Sequence, residues 1–127
     1  MVLVLESVPF RFEVAAGLTK GQATLGLEVP LSLAEILCVF PTNTGNKLVY
    51  EFHEDTTAEM PTTGAVGGKD VFRHLVKSGQ FVGENVAYVV PHQIGFKEGP
   101  LFLKMQAYNG ASLTLIAAAV LLIARER

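Results

Sequence analysis

The segment Glu51-Phe-His53 places a carboxylate and an imidazole two residues apart, and Glu59 follows six residues later. Residues two apart in a β-strand point to the same side of the sheet, so Glu51 and His53 would share one face. Carboxylate and imidazole groups on neighbouring strands are ligands that suit a transition metal. These residues are the best candidates in the chain for a metal- or ligand-binding site.

The pattern loosely resembles the metal motif of cupins, which has two histidines spaced by one residue, then a glutamate, with flanking glycines. Gly45 and His53 fit this pattern, but Glu51 replaces the first histidine and Glu59 is wrongly spaced. A second motif with its glycines is also missing. A strand with one polar face usually shows that face to solvent. We therefore expect Glu51 and His53 to be solvated and the chain to hold no metal, with a small cupin-like metal- or ligand-binding barrel as the alternative.

The remaining reactive residue types lack a catalytic context. Cys38 lies between Leu37 and Val39, which predicts a buried thiol, and a single cysteine cannot form an internal disulfide. The glycine-rich stretch 64–69 lacks the Lys-Ser/Thr ending of a phosphate-binding loop. His74 is expected on the solvated side of a short helical turn, His92 is expected in a loop after Pro91, and no serine has the surroundings of a nucleophile. We expect neither an enzyme nor a bound cofactor.

The composition indicates one domain, residues 1–127, with a surface that is poor in charge. The formal net charge is −2, the hydrophobic fraction is 50% and the charged fraction is 17%, below the roughly 25% of an average domain. The ten basic residues do not cluster, so no nucleic-acid partner is expected. The first residues lack the basic flank of a secretion signal.

Short apolar runs separated by turn residues predict an all-β protein, an antiparallel β-sandwich of seven or eight strands. Residues 33–40 and 48–53 are expected to form a hairpin, and Asn109-Gly110 is a favoured hairpin dipeptide. Pro91 is expected to end the strand that begins at Asn85. Residues 54–70 predict a long loop, and at most one short helix is expected near 70–77. The predicted strands are 10–14, 23–29, 33–40, 48–53, 85–90, 101–108 and a last strand within 112–127.

The last strand is apolar on both faces. Residues 115–124 contain no polar side chain, whereas a strand with one solvated face should alternate. Leu113, Leu115, Ala117, Ala119, Leu121 and Ile123 would point to one side. The opposite side is the predicted oligomer interface: Ile116, Ala118, Val120, Leu122 and Ala124. The same residues also suit contact with a membrane, but the run is shorter than the roughly 20 residues of a spanning helix. A short membrane helix over 113–124 is therefore a minority interpretation.

The succession of strands and turns resembles the single jelly-roll proteins of virions. The resemblance covers most of the chain from Leu33 onward, and it is a pattern without diagnostic site residues. The segments that carry it are Val39-Phe40-Pro41, 48–52, Pro61-Thr62, 85–90, Gly99-Pro100 and 103–109. It implies a structural subunit that packs around a symmetry axis in a shell, a vertex or a spike. The last strand is more apolar than such strands usually are, which favours a tightly packed oligomer or contact with an internal membrane.

The expected function is that of a non-enzymatic structural subunit that assembles into a homo-oligomer, a capsid or vertex component of a viral or phage virion. The expected partners are further copies of the chain and other virion proteins. The expected location is the virion, or the cytoplasm before assembly.

Overall fold

The computed structural model describes residues 3–17, 19–27, 31–57, 69–71, 80–97 and 101–126. Within these ranges the regular secondary structure is β-strand and no helix is present. The strands are β1 Leu3–Val14, β2 Thr19–Leu27, β3 Leu31–Phe40, β4 Leu48–Asp55, β5 Lys69–Asp70, β6 Phe81–Val82, β7 Val86–Lys97, β8 Leu101–Asn109 and β9 Leu115–Glu126.

The strands form two antiparallel sheets that pack face to face. The four-stranded sheet has the order β1-β9-β3-β7. The five-stranded sheet has the order β2-β8-β4-β5, and β6 also pairs with β4. Aromatic contacts join the sheets: the rings of Phe10 on β1 and Phe52 on β4 meet edge to face, with centroids 6.1 Å apart. The predicted antiparallel β-sandwich is confirmed.

The core is built by the period-two alternation of the strands. Leu48, Tyr50 and Phe52 of β4 are fully buried, while the residues between them are partly exposed. On β9 the predicted inward residues from Leu115 to Ile123 are buried. Leu113 precedes the strand and is exposed. Cys38 is buried as predicted, and burial raises the pKa of its thiol to about 12.

Both predicted hairpins are wrong, because the chain changes sheet at each of them. Strand β3 pairs with β9 and β7, whereas β4 pairs with β8, β5 and β6. The two strands instead face each other across the core, where the rings of Phe40 and Tyr50 stack with centroids 4.2 Å apart. Alternation identifies a strand and its inward side, but it carries no information about which strand is the hydrogen-bonding neighbour.

Asn109 guides the chain from β8 in one sheet to β9 in the other. It is fully buried, and neither it nor Gly110 has the positive φ that the predicted hairpin turn requires. Its Nδ2 donates hydrogen bonds to the carbonyl oxygens of Val14 (3.0 Å) and Leu113 (2.7 Å). Its Oδ1 accepts one from the Ala111 N–H at 2.9 Å. The side chain thus ties the sheet-switching segment to the end of β1.

Proline does not end the strands in which it occurs. Strand β7 continues through Pro91, so the prediction that Pro91 stops it is wrong. Strand β1 includes Pro9 and is longer than the predicted 10–14. Both strands are the outermost strands of the four-stranded sheet. An outer strand has one unpaired edge, where a missing N–H costs no ladder hydrogen bond.

Residues 41–46 form a tight connection between β3 and β4, and hence between the two sheets. Asn43, Gly45 and Asn46 have φ values of 65°, 57° and 57°, and the Lys47 N–H donates to the Thr44 carbonyl at 2.9 Å. Asparagine and glycine tolerate this left-handed backbone best. The buried Thr44 hydroxyl donates to the Gly83 carbonyl at 2.6 Å, which joins this turn to the one before β7.

The predicted loop 54–70 is strand at both ends, since β4 reaches Asp55 and Lys69–Asp70 forms β5. Its middle, residues 58–68, lies outside the described residues. The helix predicted near 70–77 falls mostly on residues 72–79, which are also not described. The minority interpretation of a helix over 113–124 is wrong, because residues 115–126 are strand. In the part of the chain that the structure describes, no helix has the length and apolarity to span a bilayer.

The hydroxyl of Tyr50 fastens the five-stranded sheet to the middle of the four-stranded one. It donates to the Val39 carbonyl at 2.7 Å and accepts from the Ala118 N–H at 3.1 Å. Val39 and Ala118 are the last paired residues of β3 and β9, so the hydroxyl bridges the strands where their ladder ends. Burial raises the pKa of this phenol to about 12.

We expect Tyr50→Phe to lower the free energy of unfolding by about 1–3 kcal/mol, because it leaves two buried backbone groups without their partner. Urea denaturation followed by circular dichroism measures the change. Tyr88→Phe, which alters an exposed ring on β7, serves as the matched control and should change stability little. Equal stability of the two variants would contradict the bridging role of the Tyr50 hydroxyl.

Candidate functional site

The residues of the predicted metal site lie on the outer face of the five-stranded sheet. Glu51 and His53 alternate with the buried residues of β4, so both point away from the core. Their cross-strand neighbours on β8 are Gln106 and Lys104. Glu59 lies outside the described residues. Among the residues that are described, no group of three or more histidine, cysteine, aspartate or glutamate side chains could hold a metal ion.

This arrangement differs from a metal centre inside a barrel. On β5 the residue paired with His53 is Asp70. The groups beside Glu51 and His53 on β8 are an amide and an ammonium, and an ammonium adds positive charge where a cation would bind. Neither is a transition-metal ligand of the kind expected from sequence. The geometry therefore offers the cupin-like alternative no further support.

Lys104 is buried, although its side chain is on the outer face of β8. Only 1% of it is exposed, and its Nζ donates to Asp55 Oδ2 at 2.7 Å. The hydrogen bond from Lys104 lowers the pKa of Asp55, and the Thr56 N–H adds to the effect by donating to the same carboxylate. A buried ammonium needs such a partner, because burying an unpaired charge is costly.

Gln106, Tyr108 and Glu51 continue this polar layer along the sheet. Gln106 is buried, and its Nε2 donates to the Tyr108 hydroxyl. Burial raises the pKa of Tyr108, and the neighbouring Glu51 carboxylate raises it further. Within the described residues, Gln106 Oε1 and His53 Nδ1 are buried without a hydrogen-bond partner. Charged and hydrogen-bonded side chains make up this layer. Its described residues do not pair a nucleophile with a base in the way that nucleophilic catalysis requires.

This polar layer was not predicted from the amino-acid sequence. The alternation of β8 predicts Leu103, Met105 and Ala107 on the buried side, which is correct. The opposite side, with Lys104 and Gln106, reads as solvated and is nevertheless buried. A lysine flanked by Leu103 and Met105 is the one local signal. It does not distinguish a buried ammonium from an exposed one, because that depends on what lies above the sheet.

The predicted interface residues form the centre of a different surface, the outer face of the four-stranded sheet. Strand β9 lies between β1 and β3, and Ile116, Ala118, Val120 and Leu122 are half-buried there. Ala124, at the far end of the row, is 9% exposed. Strand β1 flanks β9 on one side with a continuous register from Leu3 to Val14. Strand β3 flanks it on the other side, with a register shift between Leu33 and Glu35.

Apolar residues of the flanking strands extend this surface in both directions. The pairing places Pro9 and Leu37 on either side of Val120, and Val89 beyond Leu37. Leu5 is 66% exposed and Val89 is 58% exposed. We call this surface the apolar face. It consists of Leu5, Pro9, Leu37, Val39, Ala87, Val89, Ile116, Ala118, Val120 and Leu122.

Comparison with protein-family models, with curated proteins and with solved structures found no match to this chain. Of its two outer faces, the polar layer is buried and internally paired at Lys104 and Asp55, whereas the apolar face exposes large hydrophobic side chains. Exposed contiguous apolar patches are typical of interaction surfaces.

We expect Asp55→Asn to destabilise the fold, because it leaves the Lys104 ammonium buried without a counter-charge. Adding Lys104→Met should restore part of the loss, since it removes the buried cation. Urea denaturation of the wild type and of the two variants measures both effects. A double variant that is less stable than Asp55→Asn alone would contradict this account.

The pair also predicts a pH dependence. The folded-state pKa of Asp55 is lowered. The contribution of its carboxylate to the stability of the fold is therefore fully present above the ordinary aspartate pKa of about 3.9. The contribution is lost as the pH falls through the lowered folded-state value. The stability difference between wild type and Asp55→Asn should therefore shrink below pH ~4 and stay constant from pH 5 to 7.

Proposed function

We propose that this protein is a non-enzymatic structural subunit that self-assembles into a homo-oligomer, as a capsid or vertex component of a virion. The observation that carries the proposal is the apolar face. Hydrophobic side chains on four adjacent strands line it, and two of the largest, Leu5 and Val89, are more than half exposed. In a monomer this surface would be exposed to water, and a second copy would bury it.

The strand order supports a jelly-roll type of sandwich. A jelly roll is an eight-stranded pair of sheets made of two Greek keys. In this chain the first and last strands, β1 and β9, are neighbours, and β2 pairs with β8 in the other sheet. Successive strands β3 and β4 also lie in opposite sheets. This nesting of early strands against late ones is what two wound Greek keys produce.

The composition favours an oligomer over a monomer. Only 17% of the residues are charged, and interfaces between permanent partners are depleted in charge at their centres. Burying apolar surface contributes about 25 cal/mol per Å². An interface of several hundred Å² per subunit therefore supplies several kcal/mol toward association, although the loss of freedom on association offsets part of it.

We expect the purified chain to form a discrete oligomer at low micromolar concentration, because the apolar face is better sheltered by a second copy than by water. Light scattering coupled to size exclusion gives the mass, to be compared with 13.7 kDa for one chain. Electron microscopy of the same fraction would show rings, vertices or shells if assembly proceeds further. A single peak at the mass of one chain, at up to ~100 μM, would refute the proposal.

A further inference from the structure

Asn109-Gly110 is a sequence at which a protein modifies itself without an enzyme, and it is the one asparagine–glycine pair in the 127 residues. In this reaction the Gly110 backbone nitrogen gives up its proton and bonds to the Asn109 Cγ, and the side-chain NH2 group leaves as ammonia. Water then opens the resulting succinimide ring, which yields aspartate or its isomer isoaspartate. Glycine favours the reaction because it has no side chain to hinder the attack and the widest choice of backbone conformation.

The native fold occupies both reacting groups. The Gly110 N–H donates a hydrogen bond to the Lys47 carbonyl oxygen at 2.9 Å, which holds the proton that the attacking nitrogen must lose. The Asn109 side chain keeps three hydrogen bonds, at 2.7, 2.9 and 3.0 Å, to two carbonyls and one N–H. Its Cγ cannot turn toward the Gly110 nitrogen until these bonds break. Asn109 is also fully buried, so the water that takes part in the reaction does not reach it.

Neither product of the reaction fits the native position of Asn109. An aspartate side chain has no N–H group, so one carboxylate oxygen would face the carbonyl oxygens of Val14 and Leu113, and its charge would be buried at a cost. An isoaspartate carries one extra carbon in the backbone. Asn109 is paired with Leu48 of β4 and Thr19 of β2, so the extra carbon would shift the chain at the point where it leaves β8. The deamidated chain therefore lacks the contacts that lead it from one sheet to the other.

We propose that Asn109-Gly110 is a deamidation site that the native fold protects, and that its reaction in the unfolded chain makes unfolding irreversible. The folded chain keeps its asparagine. Each period in the unfolded state converts a fraction of the chains to aspartate or isoaspartate, and these chains no longer refold to the native sandwich. The inference does not depend on the proposed function, because the hydrogen bonds that protect the site lie within one chain.

Peptide mass spectrometry of the purified chain tests the protection. The protein is incubated at one temperature in mildly alkaline buffer, either folded or unfolded by guanidinium chloride. Water enriched in heavy oxygen labels the product that forms during the incubation. We expect Asn109 to be converted at least about tenfold more slowly in the folded protein, because the reaction must wait for an opening of the structure. A smaller ratio would overturn the inference.

The double variant Thr42→Asn/Asn43→Gly provides the matched control. It places a second asparagine–glycine pair in the turn before β4, where both residues are exposed and the φ of 65° at residue 43 suits glycine. In the folded variant we expect the new pair to react at least about tenfold faster than Asn109 in the same molecule. Similar rates at the two pairs would contradict protection by the burial and hydrogen bonds of Asn109. If the variant does not fold, the wild-type ratio is decisive.

Refolding tests the consequence for the fold. The wild type is held in guanidinium chloride for increasing times and then diluted, and circular dichroism measures the fraction that regains the native structure. We expect this fraction to fall at the rate at which Asn109 is lost, and the refolded chains to retain asparagine. The inference is wrong if refolded chains carry aspartate or isoaspartate at this position as often as the unfolded sample does.

Gly110→Ala separates this loss from other damage to the unfolded chain. Gly110 does not have a positive φ, so alanine is compatible with its backbone, and the added methyl group hinders the attack. We expect the loss of Asn109 and the loss of refolding to slow together, several-fold. A refolding loss that stays unchanged while deamidation slows would contradict the proposed link. If this variant does not fold, the composition of the refolded wild type decides the question.

Discussion

Strand β9 is hydrogen-bonded on both sides, to β1 and β3, and is apolar on both faces. Its inward residues fill the core opposite β4, and its outward residues form the middle of the apolar face. Stacking the two sheets buries only the inward side of β9. The other side lies on the outer surface of the sandwich, and the proposed association would cover it.

Two polar devices make the stacking of the sheets specific. The Tyr50 hydroxyl crosses the core and bridges Val39 and Ala118 where the pairing of β3 with β9 ends. The Asn109 side chain holds the segment between β8 and β9 through three hydrogen bonds. Apolar packing tolerates many relative placements of two sheets, whereas buried hydrogen bonds tolerate few. These residues therefore help to select one arrangement of strands.

The outer faces of the two sheets differ in the polarity and burial of their side chains. On the five-stranded sheet, Lys104 and Gln106 are buried in a polar layer, where Lys104 donates to Asp55 and Gln106 donates to Tyr108. On the four-stranded sheet, the outer side chains are hydrophobic and open to solvent at Leu5 and Val89. This asymmetry is the reason that the proposed association uses the outer face of the four-stranded sheet. The sequence predicted the apolar outer side of β9 but not the buried polar layer.

Local patterns in the amino-acid sequence were sufficient to predict the fold class, the alternation of β4 and β8, the burial of Cys38 and the two-faced character of β9. These features depend on side chains one or two residues apart, so local periodicity reveals them. The sequence did not reveal that β3 and β4 belong to opposite sheets, that β7 passes through Pro91, or that Lys104 is buried beside Asp55. Each of these depends on which distant strand becomes a neighbour. A strand pairs through its backbone N–H and C=O groups, and these groups are nearly the same in every sequence. The side-chain pattern therefore does not specify which strand becomes the neighbour.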